Sequence, residues 1–134
     1  MSSPIILDSY ALLALFHKEA GWNKVRDLLR QLSSARGKAY LSRINWGEFY
    51  YITKRRVGQT KAEEALGLIE QLPIDILSVD DDLIKEAAEL KSDYPIAYAD
   101  AFCAATAIRI GGSVVTGDPE FRSLEKVVDV IWLV

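Results

Sequence analysis

Apolar residues fall along this chain in two rhythms, short unbroken runs and stripes spaced three and four apart. Ile5, Ile6 and Leu7, after Pro4, are too few for a helix and read as a buried strand ending at Asp8. From Ser9 onward Leu12, Leu13, Leu15 and Phe16 form a helical stripe, and Gly21 separates it from a second helix over about 22–32. A loop over 33–38 leads into a weak second strand, Ala39–Ser42. The segment 44–57 is helical and ends at Gly58, and Thr60 with Glu63 spells a capping box that opens the next helix, which stops near Pro73. Ile74, Ile76 and Val79 alternate as a third strand, after which Asp80 caps a helix over 81–91. A further helix over 97–110 is stopped by Gly111 and Gly112. Ser113–Thr116 reads as the fourth strand, Asp118-Pro119 opens a short turn or helix, and 127–133 closes the chain as a fifth strand.

Strands that alternate with helices imply parallel pairing with helices on both faces, so the expected fold is α/β: a three-layer α/β/α sandwich around a central, mainly parallel five-stranded sheet. With 134 residues and no linker or repeat, the chain is expected to be a single domain over 1–134. In such sheets ligands bind beyond the carboxyl ends of the strands, where the winding direction reverses. Asp8 and Asp118 stand at two such ends.

Composition narrows the chemistry. Half of the residues are hydrophobic, 26% are charged and four are proline, which marks a folded chain and not a disordered one. No apolar run approaches the ~20 residues of a membrane span and no signal-peptide pattern is present, so a soluble, cytoplasmic protein is expected. A net charge of -3 and a pI near 5.2 argue against a generally basic nucleic-acid surface; any such contact must be local. Lys54, Arg55 and Arg56, with Lys61 beyond, are the densest basic cluster, and Lys24, Arg26, Arg30, Arg36 and Lys38 are scattered earlier. Each group reads more readily as a solvated helix face, or as cations favoured by a helix C-terminus, than as a phosphate-binding patch. The single cysteine, Cys103, lies in an alanine-rich stretch and reads as a small buried thiol.

Four carboxylates stand out. Asp8 and Asp118 each follow an apolar run and precede a helical start, so each reads as an N-cap, a role compatible with binding a metal. Asp100 falls in or near the first turn of its helix, where the dipole favours an anion, and Cys103, Ala104 and Ala107 give that helix a small-residue face for close packing on the sheet. Glu48 has Ile44, Tyr51 and Ile52 as its helical neighbours and so lies on an apolar face. Burying a lone carboxylate costs several kcal/mol, so Glu48 must sit at an edge, be paired, be protonated or bind a metal. Two acids at strand ends and one on each of two helices could converge on a divalent cation. Carboxylates without histidine select magnesium or manganese over zinc, and the only histidine, His17, falls near a helix end. No nucleophile triad and no Gly-rich phosphate loop is present.

At these residues the chain resembles the PIN-domain ribonucleases, and most closely the small VapC-type toxins of toxin and antitoxin pairs. The resemblance spans the whole chain and rests on Ile5-Ile6-Leu7-Asp8-Ser9, on Ser42 through Asn45 to Glu48, on Ala99-Asp100-Ala101 with Ala104-Ala105-Thr106-Ala107, and on Thr116-Gly117-Asp118. It implies a PIN-like fold with the first and fourth strands side by side, Asp8, Glu48, Asp100 and Asp118 holding magnesium or manganese, and Ser9 and Thr116 supporting them with hydroxyls. The implied activity is metal-dependent endoribonuclease cleavage of RNA, with Lys54, Arg55 and Arg56 as candidate RNA contacts, a homodimer, and inhibition by a cognate antitoxin. The family often has threonine where Ser9 stands, and a further aspartate soon after Asp118 that is absent here. Whether Glu120 replaces it, and whether one ion or two is held, stays open. Two other readings share the pattern: a housekeeping PIN nuclease of RNA maturation or decay, and a catalytically silent PIN-like module that binds RNA or protein.

Overall fold

A computed structural model describes residues 3–134. The chain runs β1 (Ile5–Leu7), α1 (Ser9–His17), α2 (Trp22–Ser34), β2 (Ala39–Ser42), α3 (Arg43–Val57), α4 (Gln59–Glu70), β3 (Ile74–Leu77), α5 (Asp81–Asp93), α6 (Tyr98–Ile110), β4 (Ser113–Thr116), a 3-10 turn (Pro119–Leu124) and β5 (Asp129–Trp132). The sheet order is β3-β2-β1-β4-β5 and every pairing is parallel, so the mainly parallel sheet expected from the pattern is wholly so.

Side chains alternate across a strand, and the two faces of this sheet fill two cores. Ile5, Leu7, Leu41 and Val115 point to one face, where Leu12, Val25, Phe49 and Ile69 from α1 to α4 cover them. Ile6 and Val114 point to the other, against Leu83 of α5, Phe102 of α6, and Phe121 and Leu124 of the 3-10 turn. The short apolar runs are continuous because both faces are buried. The run of alanines in α6, with Cys103 at zero exposure among them, lets that helix lie close on the sheet.

After β1 the chain winds outward through β2 and β3, then crosses back to place β4 and β5 on the other side. The reversal between β1 and β4 opens a crevice at the carboxyl ends of the strands.

Four expectations need correction. The capping box at Thr60 and Glu63 does not form: Gly58, at φ +90, serves as the cap residue and α4 already begins at Gln59, which puts Thr60 inside the first turn. Glu63 instead accepts the Tyr50 hydroxyl at 2.8 Å. β3 stops at Leu77, and Val79 packs on the second core from outside the strand, because the chain turns there to let Asp80 cap α5 through the Leu83 amide at 2.8 Å. α2 extends to Ser34, beyond its expected end, and β5 is shorter than its apolar stretch. No helix among the described residues is long and apolar enough to cross a membrane.

Candidate active site

Asp8 leaves the end of β1 and turns directly into α1. Its Oδ1 accepts the Ala11 amide at 2.9 Å, the N-cap bond, and its Oδ2 accepts the Thr116 hydroxyl from β4. Leu7 and Val115 are register partners, so the next residues, Asp8 and Thr116, meet at the top of the seam between the two strands. The Thr116 oxygen also accepts the Asp118 amide at 2.9 Å, and Asp118 Oδ1 in turn accepts the Glu120 amide at 2.9 Å. Both aspartates are therefore caps, as their sequence context implies, and Asp118 keeps its second oxygen for other partners.

The two helical acids arrive from the flanking layers. Asp100 sits in the first turn of α6 at 5% exposure. Glu48, half-buried on α3, accepts the Ser9 hydroxyl, which ties it to the residue after Asp8. One turn earlier on α3, the fully buried Asn45 donates from Nδ2 to the Ala99 carbonyl at 3.2 Å and so holds α3 against the start of α6. Carboxylate oxygens of Asp100, Asp118 and Glu120 lie within 4.8 Å of one another. Glu120, whose part was open in the sequence, is thus brought beside the other acids by the 3-10 turn.

Gly117 lets Tyr10 take the position it has here. A β-carbon there would stand 2.4 Å from the Tyr10 ring, so any larger residue would have to push the Tyr10 side chain off the segment that carries Thr116 and Asp118.

Crowding of acids shows in their protonation. Burial pushes the Asp8 carboxyl from 3.8 up to about 7; Thr116 and the Ala11 amide pull against that, while Asp118 and Glu48 add to it. Burial, the adjacent Glu120 carboxyl, Asp118 and Asp8 together push Asp100 up to about 9. The Cys103 thiol beneath is raised by burial first and then by the field of Asp8, Asp100 and Glu48. Burial is the first cause of all three shifts, and the fields of neighbouring carboxylates add to it. The donors are oxygen alone, a set suited to magnesium or manganese. His17 ends α1 with Nε2 3.5 Å from the Thr53 hydroxyl, on the other side of that helix's course from Asp8.

The basic cluster lies elsewhere. Lys54, Arg55 and Arg56 occupy the last turn of α3, beyond Glu48; Arg56 pairs with Glu19 at 3.2 Å, Arg55 stacks on Tyr51 at 5.1 Å, and Lys54 is exposed.

A family model described as PIN domain matches residues 5–127, from the first strand through all four acids. The chain belongs to the PIN domain family. No curated protein matches it. The PIN domain is similar in fold to VapBC2 from Rickettsia felis bound to a promoter DNA fragment, with a TM-score of 0.76 and 15% identity over 95% of this chain and 96% of that one. It is similar to VapC20 from Mycobacterium tuberculosis, described as a sarcin-ricin loop cleaving toxin, with a TM-score of 0.73 and 21% identity over 90% of this chain and 94% of that one. FitAcB from Neisseria gonorrhoeae matches with a TM-score of 0.68 and 23% identity over 96% of this chain and 97% of that one. In this PIN domain the crevice between β1 and β4 is where the acids meet.

Proposed function

We propose that this PIN domain is a divalent-cation-dependent endoribonuclease and the VapC-type toxin of a toxin–antitoxin pair, acting in the cytoplasm. The observation that carries the reading is the gathering of acids at the switch point of a parallel sheet: Asp100, Asp118 and Glu120 have carboxylate oxygens within 4.8 Å of one another, Asp8 is held by Thr116 at the same seam, and Glu48 is tied to Ser9 beside it.

Asp8, Asp100 and Asp118 would hold magnesium or manganese, with Glu48 binding directly or through water and Glu120 available as a further oxygen donor. The bound cation supplies positive charge opposite the developing charge on a scissile phosphate and makes water a better nucleophile at neutral pH. The protein's own contribution is placement. Thr116 and the Ala11 amide fix both oxygens of Asp8, Ser9 fixes Glu48, and Asn45 fixes the turn from which Asp100 projects. Because Asp8 and Asp100 hold protons more tightly than ordinary carboxyls, a cation bound by them would displace those protons.

The structural relatives seen as toxin-antitoxin complexes support an antitoxin as a partner, and a second copy of the chain is proposed as another. Ile44, Tyr51 and Tyr98 offer exposed apolar surface on α3 and α6 for such contacts. Lys54, Arg55 and Arg56 are kept as secondary RNA contacts at the end of α3.

The test is cleavage of RNA by the purified chain with manganese or magnesium, with excess EDTA, and with Asp8→Asn, beside growth of cells induced to express wild type or variant. The reading expects cleavage and growth arrest from wild type alone, and only with metal. Undiminished cleavage in EDTA, or an Asp8→Asn chain as active as wild type, contradicts it.

A further inference from the structure

Substrate phosphates carry negative charge, and the crevice that would cut them is lined by acids in a chain of net charge -3. Some local cation must offset that repulsion. Among the described residues, four of the sixteen lysines and arginines are paired with carboxylates: Arg26 with Asp27, Lys38 with Asp75, Arg56 with Glu19, and Arg109 with Asp80 and Glu86. Two that are not meet on one residue beside the crevice.

Trp132 ends β5 and is the register partner of Thr116, the residue that holds Asp8. It therefore lies one strand spacing, about 4.8 Å, from the acid-bearing seam. The Arg122 guanidinium stands over its ring at 5.3 Å, reaching it from the same 3-10 turn that Asp118 caps. From the opposite direction in sequence, Lys24 Nζ donates to the Trp132 carbonyl at 2.7 Å. The start of α2 comes this near because Gly21, at φ +89, packs where a β-carbon would lie 2.8 Å from Leu133 Cβ. Neither Lys24 nor Arg122 is ion-paired to a carboxylate among the described residues. Arg122 is exposed, and stacking on an indole leaves the N–H groups at the guanidinium edge free for a flat anionic partner.

We propose that Lys24, Arg122 and Trp132 form a cationic shoulder that binds the RNA backbone beside the cleavage site, Arg122 and Lys24 each meeting a phosphate and the exposed part of the indole supporting a base. The inference rests on the endoribonuclease reading above. Trp132 organises the two cations, one through its ring and one through its carbonyl, so the shoulder is set before substrate arrives and little side-chain freedom is lost on binding. An acidic protein segment could meet the same cations. Proximity of the shoulder to Asp118, on the turn that Asp118 caps, favours the polymer whose phosphates must reach those acids.

The experiment compares the wild-type chain with Lys24→Gln/Arg122→Gln and with Lys126→Gln. Lys126 is a control of like charge at the far end of β5, near Asp129. Cleavage of mixed-sequence RNA in manganese is followed as KM and kcat. Binding of a fluorescein-labelled single-stranded RNA is followed against salt in the Asp118→Asn background, which the account expects not to cut. The double variant should raise KM several-fold with kcat within about twofold, and lower the slope of log affinity against log salt by about 1.4, two phosphates' worth on a single strand. The manganese-induced shift in melting temperature should stay at the wild-type value. An unchanged KM and salt slope in a wild-type chain that cleaves RNA overturns the shoulder and leaves the nuclease reading standing. Equal effects from Lys126→Gln overturn it too, since net charge alone would then explain them. Poly-glutamate is titrated against the same chains, and if its affinity falls in the double variant while that for RNA does not, the surface docks protein and the proposal is wrong. A wild-type chain that cleaves no RNA fails the underlying reading first, and the shoulder with it.

Discussion

Thr116 donates its hydroxyl to the buried carboxylate of Asp8 across the seam between β1 and β4, and the same oxygen accepts the Asp118 amide at 2.9 Å. One side chain thus sets two acids. Thr116→Val keeps the shape and removes both bonds. Leaving a buried acceptor without its donor costs about 1–3 kcal/mol, so the variant should be less stable by that order. The Thr116 bond also pulls the Asp8 carboxyl down, so its loss should move to higher pH the range over which manganese stabilises the fold. Thr116→Ser should recover most of both. Melting curves with and without manganese from pH 6 to about 9, the range in which Asp8 and Asp100 titrate, check this; a valine variant that behaves as wild type refutes the bridging role.

Acid should stabilise the metal-free fold at this site. Asp8 and Asp100 titrate at about 7 and about 9 in the folded chain, against an ordinary 3.8, so the folded chain keeps protons that the unfolded chain has released. Their contribution is complete below about pH 4 and is lost as pH rises through the two folded values. Asp80 acts in the opposite sense, since Arg109 holds its carboxyl low, so total stability mixes the two. Comparing wild type with Asp100→Asn isolates the site. In EDTA, urea melts should show the variant gaining on wild type as pH rises from 5 toward about 9. A gap that does not change with pH counts against the shared-volume account.

Asn45 makes a different prediction, because it touches no acid yet joins the two helices that carry Glu48 and Asp100. Its Nδ2 bond to Ala99 is its one contact of this kind, and its Oδ1 is buried without a partner among the described residues. Asn45→Ala should cost about 1–2 kcal/mol of stability, the missing bond partly offset by removing the unpaired oxygen. Manganese affinity should fall at the same time, as Asp100 loses its fixed footing. Calorimetric titration of manganese beside a urea melt checks both; lost stability with wild-type affinity would make Asn45 a packing residue only.

Much of this arrangement was legible in the chain. Apolar runs that stop at Asp8 and at Thr116-Gly117-Asp118 identify strand ends, because a strand buried on both faces has no other place for an acid. The alanine face after Asp100 gave its helix a sheet to lie on. Glu48 could be reduced only to a choice among an edge position, a partner, a proton or a metal, since its hydrogen-bond partner, Ser9, is 39 residues away. Thr60 and Glu63 misled because a capping motif is local while Gly58, at φ +90, decides where α4 begins. Closure of Tyr10 over Gly117, entry of Glu120 through a 3-10 turn, and the meeting of Lys24 with Trp132 are all products of chain crossing, which period and composition do not encode.

Asp118 either belongs to a cation site or is only a helix cap, and Asp118→Asn separates the two because asparagine caps about as well as aspartate. Thermal melts of wild type and variant, in EDTA and in manganese, beside an RNA cleavage assay, form the most direct measurement. Relief of repulsion among the crowded acids predicts that the variant melts at or above wild type in EDTA, gains less from manganese, and loses nearly all cleavage. A variant that cleaves RNA normally and keeps the full manganese shift would contradict the account.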